Sequence, residues 1–131
     1  MKIRSVSMRS GLARAKGLGS ASSGTKDFWR QRVTSVLGVP LVAALLVVFW
    51  MLSGADYQSA RQLIGHPMVA LLIVVAIVNF TVHMRLGAQI IIEDYVHHPL
   101  AKPLLLITNI GLAYLAGAMG ILAVIDIAVT S

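Results

Sequence analysis

The stretch MVALLIVVAIVNFTVHMRLGAQIII, residues 68–92, decides the fold. It is unbrokenly apolar from Met68 to Val78, and beyond that point its polar residues are only Asn79, Thr81, His83, Arg85 and Gln89. A helix that crosses a lipid core needs roughly 20 mostly apolar residues, within a tolerated range of about 17–25. Residues 68–82 fall short alone and reach that length by continuing past His83 to Ile92. The runs 36–52 and 103–125 reach it directly. The chain as a whole agrees: mean hydropathy is +0.82, with 57% hydrophobic against 12% charged residues in 131. A soluble domain of that length is not so apolar. An open sheet is excluded, because lipid offers no partners to free backbone groups. The sequence therefore predicts an all-α membrane protein with three transmembrane helices, at about 27–52, 67–95 and 103–129, and no soluble domain.

The charge distribution orients these helices. Of the 11 Lys and Arg, 8 precede residue 33, where Asp27 is the one acid. Beside a membrane span such a cluster marks the cytoplasmic flank rather than a nucleic-acid site. The N-terminus is then cytoplasmic, the 53–66 loop outside, the 93–102 loop inside and the C-terminus outside. Residues 1–26 are rich in Ser, Gly and basic residues without apolar periodicity, which predicts a flexible basic cytoplasmic tail. The same composition suits a mitochondrial presequence. The expected location is thus a bacterial inner membrane, with the mitochondrial inner membrane as the alternative. The absence of cysteine excludes disulfides, thiol catalysis and cysteine-held metal clusters.

Punctuation along the chain is clear in places. Asp27 is a candidate N-cap for the first helix, and Trp29 suits the headgroup region. Pro40 lies inside that helix, where it must kink it or be tolerated through a neighbour. Ser53-Gly54-Ala55-Asp56 ends it. Pro67 suits the first turn of the second helix. In the third, Ala113 and Gly117, and Ala116 and Gly120, form small-xxx-small pairs that permit close helix approach. Asn109 and Tyr114 are candidates for bonds across helices, and Asp126 falls at the outer interface.

Within the second helix His83 lies about 22 Å from the outer surface, counting about 1.5 Å per residue from Met68. An ionisable group at that depth is costly and commonly functional, although a neutral histidine bonded across helices has the same signature. Gly87 falls one turn later on nearly the same face, leaving room for a flat group against the backbone. Haem is such a group, and its iron accepts histidine. Asn79, one turn earlier, shares the face. Asp94 and Tyr95 reach the inner membrane surface, where a tyrosine hydroxyl can donate to a quinone carbonyl and an aspartate can orient it. An interfacial tyrosine beside a capping acid is the structural alternative. Arg85 lies about 200° round from His83 and faces elsewhere. His66, His97, His98 and Glu93 are expected in solvated loops.

His83, Gly87 four residues later, and Asp94-Tyr95-Val96 at the eleventh to thirteenth positions after the histidine resemble the signature of the small, D-type membrane anchor of succinate dehydrogenase. Arg32-Val33-Thr34-Ser35-Val36-Leu37 resembles that family's approach to its first helix. The resemblance covers roughly residues 27–130. It implies half of a heterodimeric helical anchor, in which His83 is an axial ligand of haem b and a C-type anchor gives the second ligand. Arg32 then lies near the haem propionates, Gly87 packs against the haem, and Tyr95 bonds the ubiquinone carbonyl with support from Asp94. An iron–sulfur subunit and a flavoprotein subunit carrying covalent FAD complete the implied complex. Electrons then pass from succinate through FAD and the iron–sulfur clusters to ubiquinone, and this chain alone oxidises nothing. Arg85 within the motif and His97-His98 after it depart from the resemblance and bear on contacts with the iron–sulfur partner. Two other readings fit the residues: the anchor of a quinol:fumarate reductase, and a non-catalytic scaffold that packs through its third helix.

Overall fold

The computed structural model describes residues 22–131. Four helices succeed one another: α1 (Ser22–Leu52), α2 (Tyr57–Gly65), α3 (Pro67–Tyr95) and α4 (Ala101–Thr130). Among the described residues there is no strand. Helices α1, α3 and α4 contain 31, 29 and 30 residues and are long and apolar enough to cross a membrane. At about 1.5 Å per residue each exceeds a hydrocarbon core of about 30 Å, so their ends emerge into the headgroups.

Helix α3 is the centre of the array. Helices α1 and α4 each pack along it rather than along each other, and α2 packs on α4 and on the start of α3. The buried residues reflect this layout: Ala70, Ala76, Asn79 and Leu86 on α3, Val48 on α1 and Val124 on α4. Alanines keep α3 thin where its neighbours approach. Most other large apolar side chains remain exposed, as lipid-facing and partner-facing residues of a membrane helix do.

The helix ends have local causes. Pro67 occupies the first turn of α3, and His66 caps that turn through Nδ1, which accepts from the Met68 amide at 3.3 Å. The N-cap of α4 is Leu100, without a side-chain cap, and His98 before it accepts through Nδ1 from the Leu100 and Ala101 amides at 3.4 and 3.3 Å. Gly54, at φ +85°, makes the left-handed turn out of α1 that a side chain would strain.

Three expectations need correction. Asp27 is not an N-cap: α1 begins at Ser22, so Asp27 lies inside the helix and pairs instead with Arg30, at 3.6 Å. Residues 22–26 likewise continue the helix, because extending an existing helix adds one bond per residue without a new nucleus. The rest of the expected tail, residues 1–21, lies outside the described residues. Finally, the 53–66 loop contains a helix. Asp56 caps α2 by accepting from the Ser59 amide at 3.2 Å, and its hydrogen bonds with Ser59 hold the carboxyl below the usual aspartate range. Arg61 then ties α2 to the end of α4, donating from Nη2 to Thr130 Oγ1 at 2.5 Å. Helix α1 continues through Pro40 without a break in its assignment.

Candidate functional site

The polar residues of α1 and α3 meet in the seam between these helices. Thr34 Oγ1 stands 3.0 Å from His83 Nδ1. Asn79, 8% exposed, donates from Nδ2 to the Thr34 carbonyl at 3.0 Å. Gly38 is buried at this crossing, where a Cβ built on it would make ordinary contact, 3.5 Å from Asn79 Nδ2 and 3.6 Å from Phe80 Cε1. One turn toward the N-terminal end of α1, Gln31 reaches the second glycine of the seam, since a Cβ on Gly87 would stand 3.4 Å from Gln31 Nε2. Gln31 Oε1 is buried there without a hydrogen-bond partner among the described residues. A buried acceptor left unmet in an apolar seam costs free energy until something donates to it.

His83 opens onto a groove of about 400 Å³ lined by Thr34, Ser35, Gly38, Val39, Val42 and Phe80. The lining is apolar apart from two hydroxyls and the imidazole, and the groove is open on the side away from the seam. His83 Nε2 has no partner among the described residues, so one ring nitrogen is engaged and the other is free for a ligand. Arg32 continues the stripe Ser35, Val39 and Val42 by helical spacing, one turn toward the N-terminal end of α1. Its guanidinium rests over the Phe28 ring at 4.8 Å, in an adjoining recess that includes Gln31, Leu86 and Glu93. Gly87 comes after Phe80 and His83 along α3, and the space its missing side chain leaves is bordered by the Gln31 amide, which a Cβ there would just touch.

Asp94 and Tyr95 close the C-terminal end of α3. Both are exposed, Tyr95 by 78%, and neither side chain has a hydrogen-bond partner among the described residues. About 18 Å of helix axis separates them from His83. The structure thus puts His83 and Gly87 at one level of α3 and Asp94 and Tyr95 at another, with Arg32 on α1. By helical spacing Asp94 shares the face of His83 and Gly87, whereas Tyr95 lies about 120° round from His83. Arg85 points the other way, over the Tyr114 ring of α4 at 5.9 Å, and Asn109 donates to its carbonyl at 2.9 Å. His97 Nδ1 lies 3.2 Å from the Tyr95 carbonyl. Among the described residues no three His, Cys, Asp or Glu side chains form a metal-holding group.

Sequence reading passed over Thr34 and Gln31 as site residues. The available signal was their pattern: Gln31, Thr34, Ser35 and Gly38 recur at helical spacing as a polar and small stripe in an otherwise apolar helix.

Comparison with known proteins agrees with this layout. The family model described as succinate dehydrogenase/fumarate reductase transmembrane subunit matches residues 6–124. The succinate dehydrogenase hydrophobic membrane anchor subunit of Paracoccus denitrificans is 30% identical over 110 residues, covering 83% of this chain and 85% of that protein. The subunit of the same name from Rickettsia bellii is 28% identical over 90 residues, covering 67% of this chain and 70% of its own length. That of Rickettsia conorii is 28% identical over 102 residues, covering 76% and 80%. No solved structure matches. With three membrane-length helices, the motif along α3 and a match over nearly all of its length, the chain belongs to the succinate dehydrogenase/fumarate reductase transmembrane subunit family, as a membrane anchor subunit of the succinate dehydrogenase type.

Proposed function

We propose that this anchor binds haem b through His83 together with a C-type partner anchor, and that Tyr95 and Asp94 help form the site where ubiquinone is reduced. The observation that carries the reading is the state of His83: Nδ1 is engaged by Thr34, while Nε2 is free beside an apolar groove inside the membrane span. Haem b supplies one-electron redox chemistry when bound. The protein's part is to hold and surround it. His83 would give one ring nitrogen to the iron, and the groove walls Val39, Val42 and Phe80 would exclude water. Gly38 keeps the wall low near the ring. Arg32 at the cytoplasmic edge supplies a cation for a propionate, with reach to spare because it is exposed. The half-open groove leaves the opposite wall and the second ligand to the partner anchor.

At the inner end, the free Tyr95 hydroxyl donates to a quinone carbonyl, and Asp94 beside it orients the headgroup and handles its protons. Quinone is then reduced on the cytoplasmic side, consistent with the basic flank of α1 lying inside a bacterial inner membrane. Electrons from succinate arrive through FAD and iron–sulfur clusters on the flavoprotein and iron–sulfur subunits. The test is a reduced-minus-oxidised visible spectrum of the complex purified through this chain, wild type beside His83→Ala. A b-type band lost or shifted in the variant is expected. An unchanged band in the variant would refute the ligand assignment. Assaying succinate oxidation and fumarate reduction with the same complex fixes the working direction.

A further inference from the structure

The Thr34 hydroxyl has one proton and three neighbours. Oγ1 lies 2.9 Å from the Arg30 carbonyl, 3.0 Å from the Gln31 carbonyl and 3.0 Å from His83 Nδ1. A threonine inside a helix gives its proton to a carbonyl one turn back, and both carbonyls here belong to that turn. With the proton committed there, the remaining hydrogen bond runs from Nδ1–H of His83 to Oγ1. The imidazole is then held as the Nδ1–H tautomer, with a lone pair on Nε2. Thr34 is itself fixed by the Asn79 side chain on its carbonyl. Asn79 and His83 are one turn apart on α3, so the two helices are pinned at both ends of the Thr34 peptide.

We propose that Thr34 is the positioning residue for His83: its hydroxyl accepts Nδ1–H, sets the tautomer and ring orientation, and strengthens Nε2 as a donor to haem iron. The inference rests on the reading of His83 as a ligand. A ligating histidine whose other N–H is hydrogen-bonded is the more basic donor. Greater basicity favours ferric over ferrous iron and lowers the potential. The Arg30 and Gln31 carbonyls extend the effect, because they polarise the hydroxyl that polarises the imidazole. Thr34 touches neither iron nor quinone in this scheme and acts only through His83.

The experiment compares the complete complex carrying Thr34→Val, Thr34→Ala and Thr34→Ser with wild type, reading haem content and haem midpoint potential by redox titration. Val keeps the shape and loses the hydroxyl; Ala loses it without steric demand and reports if the Val complex fails to assemble; Ser restores it. The expected result is a raised potential and about 10–100-fold weaker haem retention in Val and Ala, with Ser close to wild type. A potential and retention unchanged in Val and Ala, while His83→Ala still abolishes the band, would overturn the role of Thr34 and leave His83 as ligand. Equal loss in Ser and Val would also overturn it, since the hydroxyl would then not matter. A band that survives His83→Ala defeats the ligand reading itself, and the role of Thr34 with it.

Discussion

The close approach of α4 to α3 makes a quantitative prediction at Gly117. A Cβ added there would stand 2.6 Å from Thr81 Oγ1, 3.1 Å from Cγ2 and 3.4 Å from Cβ. Ordinary contact starts near 3.4 Å, so the first overlap is 3.4 − 2.6, about 0.8 Å. Thr81 cannot easily turn away, because a β-branched side chain in a helix has few rotamers. The helices must separate instead, which also loosens Gly120 against Ile77 one turn on, where a Cβ would lie at 3.2 Å. Overpacking of this kind costs about 1–3 kcal/mol. Gly→Ala inside a helix returns up to about 1 kcal/mol through propensity, so the single variant mixes two effects. A double-mutant cycle separates them. In a Thr81→Ala background the remaining neighbour is Cβ at ordinary distance, and Gly117→Ala should then be tolerated. The expected coupling between the two positions is about 1–3 kcal/mol, read from detergent-titrated unfolding of the purified complex. Gly111→Ala, with nothing within 4 Å of its Cβ, gives the propensity effect alone. Coupling within about 0.5 kcal/mol of zero would show that α3 and α4 do not approach as closely as described.

Other consequences are simpler to check. Tyr95→Phe should suppress succinate-to-ubiquinone activity by tenfold or more, on the order of 1.4 kcal/mol in the barrier, while electron delivery to a soluble dye stays intact. Asn79→Leu removes the bond to the Thr34 carbonyl and should destabilise the anchor by about 0.6–1.7 kcal/mol, the range for hydrogen bonds between membrane helices, seen as earlier haem release on heating. Arg61→Met frees the end of α4 from α2, so amide exchange should quicken in its last turn and not in α3. The Asp56 carboxyl is held below the usual aspartate range by Ser59, so its capping contribution is full above the unfolded-state value and is lost as pH falls through the folded one. Protection of the Ser59 amide should fall in that acid window, and Asp56→Ala should abolish the dependence.

How much was legible in the sequence depended on the physics of each signal. The bounds 67–95 for α3 were readable because Pro67 marks its first turn and a polar run from Glu93 ends its apolar stretch. The start of α1 was misread because Ser-Ser-Gly-Thr-Lys is poor helix-forming sequence, and continuation of a helix overrides local preference there. Helix α2 escaped notice since its nine residues are too few to show a clear period, although Asp56 and Ser59 stand at capping distance. His83, Arg85 and Asn109 were visible as polar residues inside apolar helices. Their partners were not, because which face of α1 meets which face of α3 depends on packing between segments about fifty residues apart in the chain, such as Thr34 and His83. Gly87 shows the same limit. Its face was readable, yet the Gln31 amide that borders it comes from another helix.

The central place of α3 has a consequence for how the protein is made. Because α1 and α4 lean on α3 separately, the two seams form independently, and the chain emerges from the ribosome in the order α1, α2, α3, α4. The Thr34, Asn79 and His83 contacts need nothing beyond Tyr95, so the seam between α1 and α3 can close in the membrane while α4 is still unsynthesised. The link from Arg61 to Thr130 closes last. A nascent anchor can therefore hold His83 in its final setting before its own translation ends.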